Sequence, residues 1–144
     1  MTDFTLDDFL PYLLNNAAEA TSRAFAAHYR QAHGLSRAQW RILAHLGSFG
    51  ALTATEICTR GYLEKSKVSR AVAGLEAAGL ILRQPSDSDR RAELLSLTER
   101  GRAVHADLAE RARSYQAGLV TRIGAARAAD LAAILSELTG PPPD

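Results

Sequence analysis

Between Leu63 and Gly101 the apolar pattern changes period twice, and this constrains the fold more than any other feature of the chain. Val68, Val72 and Leu75 lie at i, i+4 and i+7, which puts them on one face of a helix predicted over roughly 66–78. Ser66 stands where it can cap that helix, and Gly79 ends it. Leu80–Leu82 then read as a strand, PSDSDRR as a polar turn and Glu93–Leu97 as a second strand. Thr98 can cap a new helix. A short helix followed by a two-stranded hairpin cannot bury its apolar face alone, so the preceding segments must cover it.

Those segments carry their own start signals. Ser36 with Gln39, and Thr53 with Glu56, are capping-box pairs. The first predicts a helix through Trp40, Leu43 and Leu46, ended by Gly47 and Gly50. The second predicts a short helix over 53–60, then a turn over Gly61–Lys65. Two short helices joined by a tight turn make a helix-turn-helix. Upstream, Thr5 can cap a long first helix through Leu10, Leu13, Phe25 and Tyr29, with Gly34 as its left-handed end. Downstream, a helix from Thr98 to about Gly118 and a last one over about 125–139 are expected. The fold class is therefore mainly α with a small β-hairpin wing, a winged helix-turn-helix with flanking helices. The expected organisation is an N-terminal dimerisation helix (1–34), a winged helix-turn-helix region (35–100), C-terminal dimerisation helices (101–140) and a tail (141–144).

Charge is distributed unevenly. The whole chain carries only +1. Residues 60–91 hold Arg60, Lys65, Lys67, Arg70, Arg83, Arg90 and Arg91 against Glu64, Glu76, Asp87 and Asp89, a local net of +3. The chain has two lysines, Lys65 and Lys67, and both stand at the entrance of the 66–78 helix. A local basic surface on a near-neutral protein suits site-specific binding of double-stranded DNA. A helix entrance rich in hydroxyls and cations favours phosphate, and an arginine fork can address guanine edges. No apolar run approaches the ~18 residues of a membrane span. The acidic start MTDFTLDD is unlike a signal peptide, so a cytoplasmic chain, nucleoid-associated when on DNA, is expected.

The segments LSRAQWRILAHL, LTATEI, LEKSKVSRAVAGLEAAGLILR and DRRAELLSLTERG, in this order and spacing, resemble the MarR family of winged helix-turn-helix regulators. The resemblance covers about residues 35–101 strongly; the flanking helices match in pattern. It implies a homodimeric bacterial transcription factor, usually a repressor released by a small ligand, with a dimer interface built from the first and last helices. Carried over residue by residue, it implies DNA contacts by Ser66, Lys67, Ser69 and Arg70 on the recognition helix, to which the charge pattern adds Lys65 at the helix entrance. It also implies a wing tip in which Arg91 enters the minor groove, Asp89 orients it and Arg90 meets phosphate. Glu64 stands where the family more often has aspartate.

Other readings of individual residues stay open. Tyr12, Tyr29, Trp40, Arg41 and His45 are candidates for a pocket holding a small aromatic or anionic ligand, although aromatics at helical spacing are more often core. Cys58, the only cysteine, excludes a disulfide framework within the chain and is a candidate redox group or a small buried residue. The four histidines, His28, His33, His45 and His105, are scattered and form no chelating pair, so neither a metal nor any other cofactor is expected. No nucleophile–base pair, phosphate-cradling glycine loop or metal motif points to an enzyme. The alternatives to a ligand-released repressor are a winged-helix DNA-binding protein without a small ligand and a metal- or redox-responsive regulator.

Overall fold

Both expected capping boxes form in the computed structural model, which describes residues 3–86 and 92–140. The Gln39 amide donates to Ser36 Oγ (3.2 Å) and the Ser36 amide donates to Gln39 Oε1 (2.9 Å), starting helix α2 (Arg37–Phe49). Thr53 and Glu56 make the same reciprocal pair at the start of α3 (Ala54–Gly61). Before them comes α1 (Leu10–His33), ended by Gly34 at φ 65°, whose amide donates to the Arg30 carbonyl. After them come α4 (Lys65–Ala77), β2 (Ile81–Pro85), β3 (Glu93–Leu97), α5 (Glu99–Ile123) and α6 (Ala125–Thr139), with β1 (Leu52–Thr53) between α2 and α3.

Several boundaries differ from expectation for identifiable reasons. Thr5 makes no side-chain capping bond; a 3₁₀ turn (Leu6–Asp8) intervenes and Phe9 occupies the cap position of α1, with Pro11 in the first turn. Gly47 does not end α2. It lies inside the helix, whose cap is Gly50, because the ring of His105 fills the space where a side chain would stand. Ser66 is not the cap of α4: the helix starts one residue earlier, with Glu64 at the cap position and no side-chain bond from it. Gly118 does not stop α5, which runs on to Ile123.

The sheet has three strands in the order β1-β3-β2, all antiparallel. Leu52 pairs with Leu95 and Ile81 with Leu97, so the unexpected two-residue β1 covers one edge of β3. The core gathers Ile42 and Leu43 of α2, Ile57 of α3, Val68 and Leu75 of α4, Ile81, Leu95 and Leu108, each nearly inaccessible to solvent. The end of α4 is locked to the start of α5. Thr98 Oγ1 donates to the Gly79 carbonyl (2.7 Å) and accepts from the Gly101 amide (3.0 Å), and Arg100 donates to the Ala78 carbonyl (2.9 Å). Gly101 lies against the Leu80 carbonyl so closely that a Cβ there would overlap it.

The chain divides into two compact units, one reaching to Ala109 and the other starting at Glu110, so α5 contributes to both. In the first, Phe4, Phe9, Leu10 and Leu13 are exposed around the start of α1. In the second, α6 has no buried residue and exposes Leu131, Ile134, Leu135 and Leu138.

Candidate nucleic-acid interface

The period of α4 separates its two jobs. Val68, Ala71, Val72 and Leu75 are buried against the core, while Lys65, Ser66, Lys67, Ser69 and Arg70 are all exposed. Val68, Ala71, Val72 and Leu75 follow the i, i+3, i+4, i+7 spacing of one apolar stripe, which leaves Lys67, Ser69 and Arg70 on the exposed side. Lys67 Nζ lies 3.9 Å from Glu64 Oε2, with both side chains largely exposed, so this ion pair restrains the lysine only weakly. Arg70 forms no ion pair or side-chain hydrogen bond among the described residues.

Lys65 and Ser69 also line an open cleft of about 340 Å³ with Thr55 of α3 and Arg83 of β2. Arg83 Nε donates to Glu76 Oε1 (3.0 Å), which ties the wing strand to the last turns of the recognition helix. The sequence offered Arg83 only as one more positive charge. Its position follows from strand register, because Arg83 pairs with Leu95, whose side chain belongs to the core-facing side of β3. The wing-tip residues Asp89, Arg90 and Arg91 lie outside the described residues. The strands leading to them do not: the Ser86 amide donates to the Ala92 carbonyl (3.1 Å), extending the β2–β3 ladder toward the tip.

The candidate pocket residues include two contacting pairs, Tyr29 with Trp40 and Arg41 with His45. Tyr12 is exposed on the first part of α1. Tyr29 is 1% exposed and stacks on Trp40 at 6.2 Å between centroids, with Phe25 against both rings. Arg41 spends a guanidinium nitrogen on the Gly61 carbonyl (2.6 Å); burial, with Arg37 nearby, lowers its pKa from the usual arginine value. His45 Nδ1–H donates to the Arg41 carbonyl (2.6 Å), and its ring rests on Gly61. Tyr29 is buried, Trp40 is half-buried against it, and Arg41 and His45 brace the end of α3. Cys58 is half-buried and unbridged. Among the described residues no three His, Cys, Asp or Glu side chains cluster as metal ligands, and no helix is long and apolar enough to cross a membrane.

A helix-turn-helix whose second helix exposes hydroxyls and cations, backed by a three-stranded wing sheet, defines a winged helix-turn-helix protein. Comparison with known proteins agrees. The MarR family model matches residues 33–92. The MarR family transcriptional regulator SPO1453 from Silicibacter pomeroyi DSS-3 is 30% identical in sequence, with a TM-score of 0.80 over 96% of this chain and 100% of that one. The homoprotocatechuate degradative operon repressor of Escherichia coli is 27% identical over 100 residues, which is 69% of this chain and 67% of the repressor. The chain spans about two thirds of the length of the curated relatives it matches. NadR, solved in complex with 4-hydroxyphenylacetate, shares the fold at a TM-score of 0.83 and 24% identity over 96% of this chain and 97% of its own. The chain belongs to the MarR family.

Proposed function

We propose that the protein is a sequence-specific DNA-binding transcriptional regulator, a homodimeric repressor that a small ligand releases from a near-palindromic operator. The observation that carries this reading is the division of α4 into a buried apolar face and an exposed face of Lys65, Ser66, Lys67, Ser69 and Arg70. An exposed face of that chemistry suits the major groove, and the β2–β3 hairpin suits the flanking backbone. In this reading Asp89, Arg90 and Arg91 at the wing tip add a minor-groove contact.

Dimerisation is supported by the apolar surfaces left uncovered at each end of the chain, Phe9, Leu10 and Leu13 near the start and Ile134, Leu135 and Leu138 near the finish. A second copy covers such surfaces most economically and supplies the two-fold symmetry that a palindrome needs. The organisation is then a dimerisation helix (1–34), a reading region (35–100) and C-terminal dimerisation helices (101–140). Release by a ligand is supported by relatives such as NadR, which holds 4-hydroxyphenylacetate. The protein acts by binding rather than by catalysis, in the cytoplasm.

The test is footprinting on a duplex taken from the gene's own upstream region, combined with light scattering. A protected site with two-fold symmetry and a dimer mass are expected. Failure to bind any duplex above non-specific affinity would overturn the reading.

A further inference from the structure

On the DNA-binding reading above, we infer that Arg41, His45 and Phe49 of α2 are positioning residues for sequence reading. They hold the turn between α3 and α4 and so fix how the recognition helix enters the groove. The three stand at i, i+4 and i+8, one line along α2. Each meets the last residues of α3. Arg41 donates to the Gly61 carbonyl (2.6 Å). The His45 ring packs on Gly61, where a Cβ would come 3.0 Å from Cε1. The Phe49 ring carries the Arg60 guanidinium 3.8 Å from its centroid and lies 6.0 Å from the His45 ring.

The turn has little support of its own. Capping boxes start α2 and α3, but Glu64 makes no side-chain capping bond to α4. The amides of Tyr62 and Leu63 both donate to one carbonyl, that of Cys58. Gly61 stays in the helix under His45, so the left-handed step falls on Tyr62 (φ 54°), where a side chain makes it costly. Arg41 supplies a cationic donor at the negative end of α3, whose last carbonyls lack helical partners. His45 Nδ1–H donates to the Arg41 carbonyl (2.6 Å), which fixes the ring against Gly61.

Lys65 and Ser66 follow the turn directly. A shift of the turn therefore reaches them before it reaches Val68 or Leu75, which the core holds. Contacts to phosphate carry no sequence information, whereas paired hydrogen bonds to a base edge need fixed geometry. Loosening the turn thus lowers discrimination between sequences more than general affinity. Arg41 and His45 spend their polar groups within the fold, so their effect on DNA passes through the turn and not through a contact of their own.

Two measurements test this. In hydrogen exchange without DNA, Arg41→Met should speed exchange of the Tyr62 and Leu63 amides and leave those of Leu43 and Leu46 in α2 unchanged. On DNA, the ratio of operator to non-specific affinity should fall about tenfold in Arg41→Met, through loss of one charged hydrogen bond. Non-specific affinity and its salt slope should stay as in the native chain. Arg41→Lys keeps a cationic donor and should recover part of the ratio. Phe49 is 54% exposed, so Phe49→Leu keeps the fold even where Arg41→Met does not, and it should lower the ratio about threefold. Equal loss of operator and non-specific affinity, an unchanged ratio in both Arg41→Met and Phe49→Leu, or unchanged exchange at Tyr62 and Leu63 would overturn the positioning role. A native chain that binds no duplex overturns the DNA-binding reading and the reading role with it, while exchange still decides whether α2 holds the turn.

Discussion

The imidazole of His105 lies over Gly47, in the space that the Cβ of any other residue would enter. Gly47 is inside α2, where glycine costs about 1 kcal/mol relative to alanine. Close approach of α5 to α2 explains why a glycine stands there. The expected outcome is a change of sign. In the native chain Gly47→Ala should destabilise by about 1–3 kcal/mol through overpacking. With His105→Ala already present, the same substitution should stabilise by up to about 1 kcal/mol. Chemical denaturation of the four variants measures this coupling. Additive effects would show that His105 does not occupy the space.

Tyr62 carries a second, separable strain. It is the only non-glycine residue with positive φ among the described residues (φ 54°), and it caps α3 in the left-handed region while its side chain is 77% exposed. The neighbouring Gly61, the expected residue for that conformation, stays in the helix with the ring of His45 packed on it. A left-handed non-glycine residue costs about 1–2 kcal/mol, and asparagine tolerates the conformation better. Tyr62→Asn should therefore raise stability by up to about 1 kcal/mol, seen as a higher denaturation midpoint with unchanged slope.

These two sites mark what the sequence could and could not reveal. Capping boxes at Ser36 and Thr53, left-handed glycines at 34 and 79, and the buried face Val68, Val72 and Leu75 act within one or two helical turns, so they were legible. The third strand was not. Leu52–Thr53 is strand only because Leu95 and Leu94 of a distant segment pair with it. Gly47 and Gly118 look alike as helix stops, and neither is one; only the position of His105 distinguishes the first, and nothing lies near the second. The exposed face of α4 followed from period alone. The fates of Arg41 and His45 did not, because their partners on Gly61 and within α2 depend on how α3 docks.

Stability should fall in two steps as the pH is lowered. Burial lowers the pKa of His105 from 6.5, so the unfolded chain takes up that proton first. This contribution is complete above about pH 6.5 and is lost as the pH falls below it toward the lower folded value. Glu19 is also lowered, from 4.5, chiefly by Arg37, so its contribution holds above about pH 4.5 and is lost as the pH falls through its folded value. Thermal unfolding from pH 8 to 3 checks both. His105→Gln should remove the upper step and leave the lower, and Glu19→Gln the reverse. An upper step unaltered in His105→Gln would assign it to another histidine.

The exposed face of α4 makes the sharpest demand on the proposed DNA interaction. Lys67 and Arg70 bury no apolar surface that the core needs, and the Glu64 pair at 3.9 Å is too exposed to stabilise the fold by more than ~1 kcal/mol. Lys67→Ala and Arg70→Ala should therefore leave thermal stability nearly unchanged while weakening operator binding. The two need not weaken it in the same way. A lysine held by phosphate alone should cost affinity evenly across sequences and lower the slope of log affinity against log salt by about 0.9. An arginine forked onto a guanine should cost about 1–3 kcal/mol on the operator and relax discrimination at one base pair. Glu76→Gln gives a third outcome, since it loosens Arg83 of β2 without removing any cation. It should weaken binding through the wing and leave base preference under α4 intact. Salt titrations of all three variants on one operator and on a single-base variant of it distinguish these roles. Unchanged affinity and slope in both Lys67→Ala and Arg70→Ala would remove α4 from the interface.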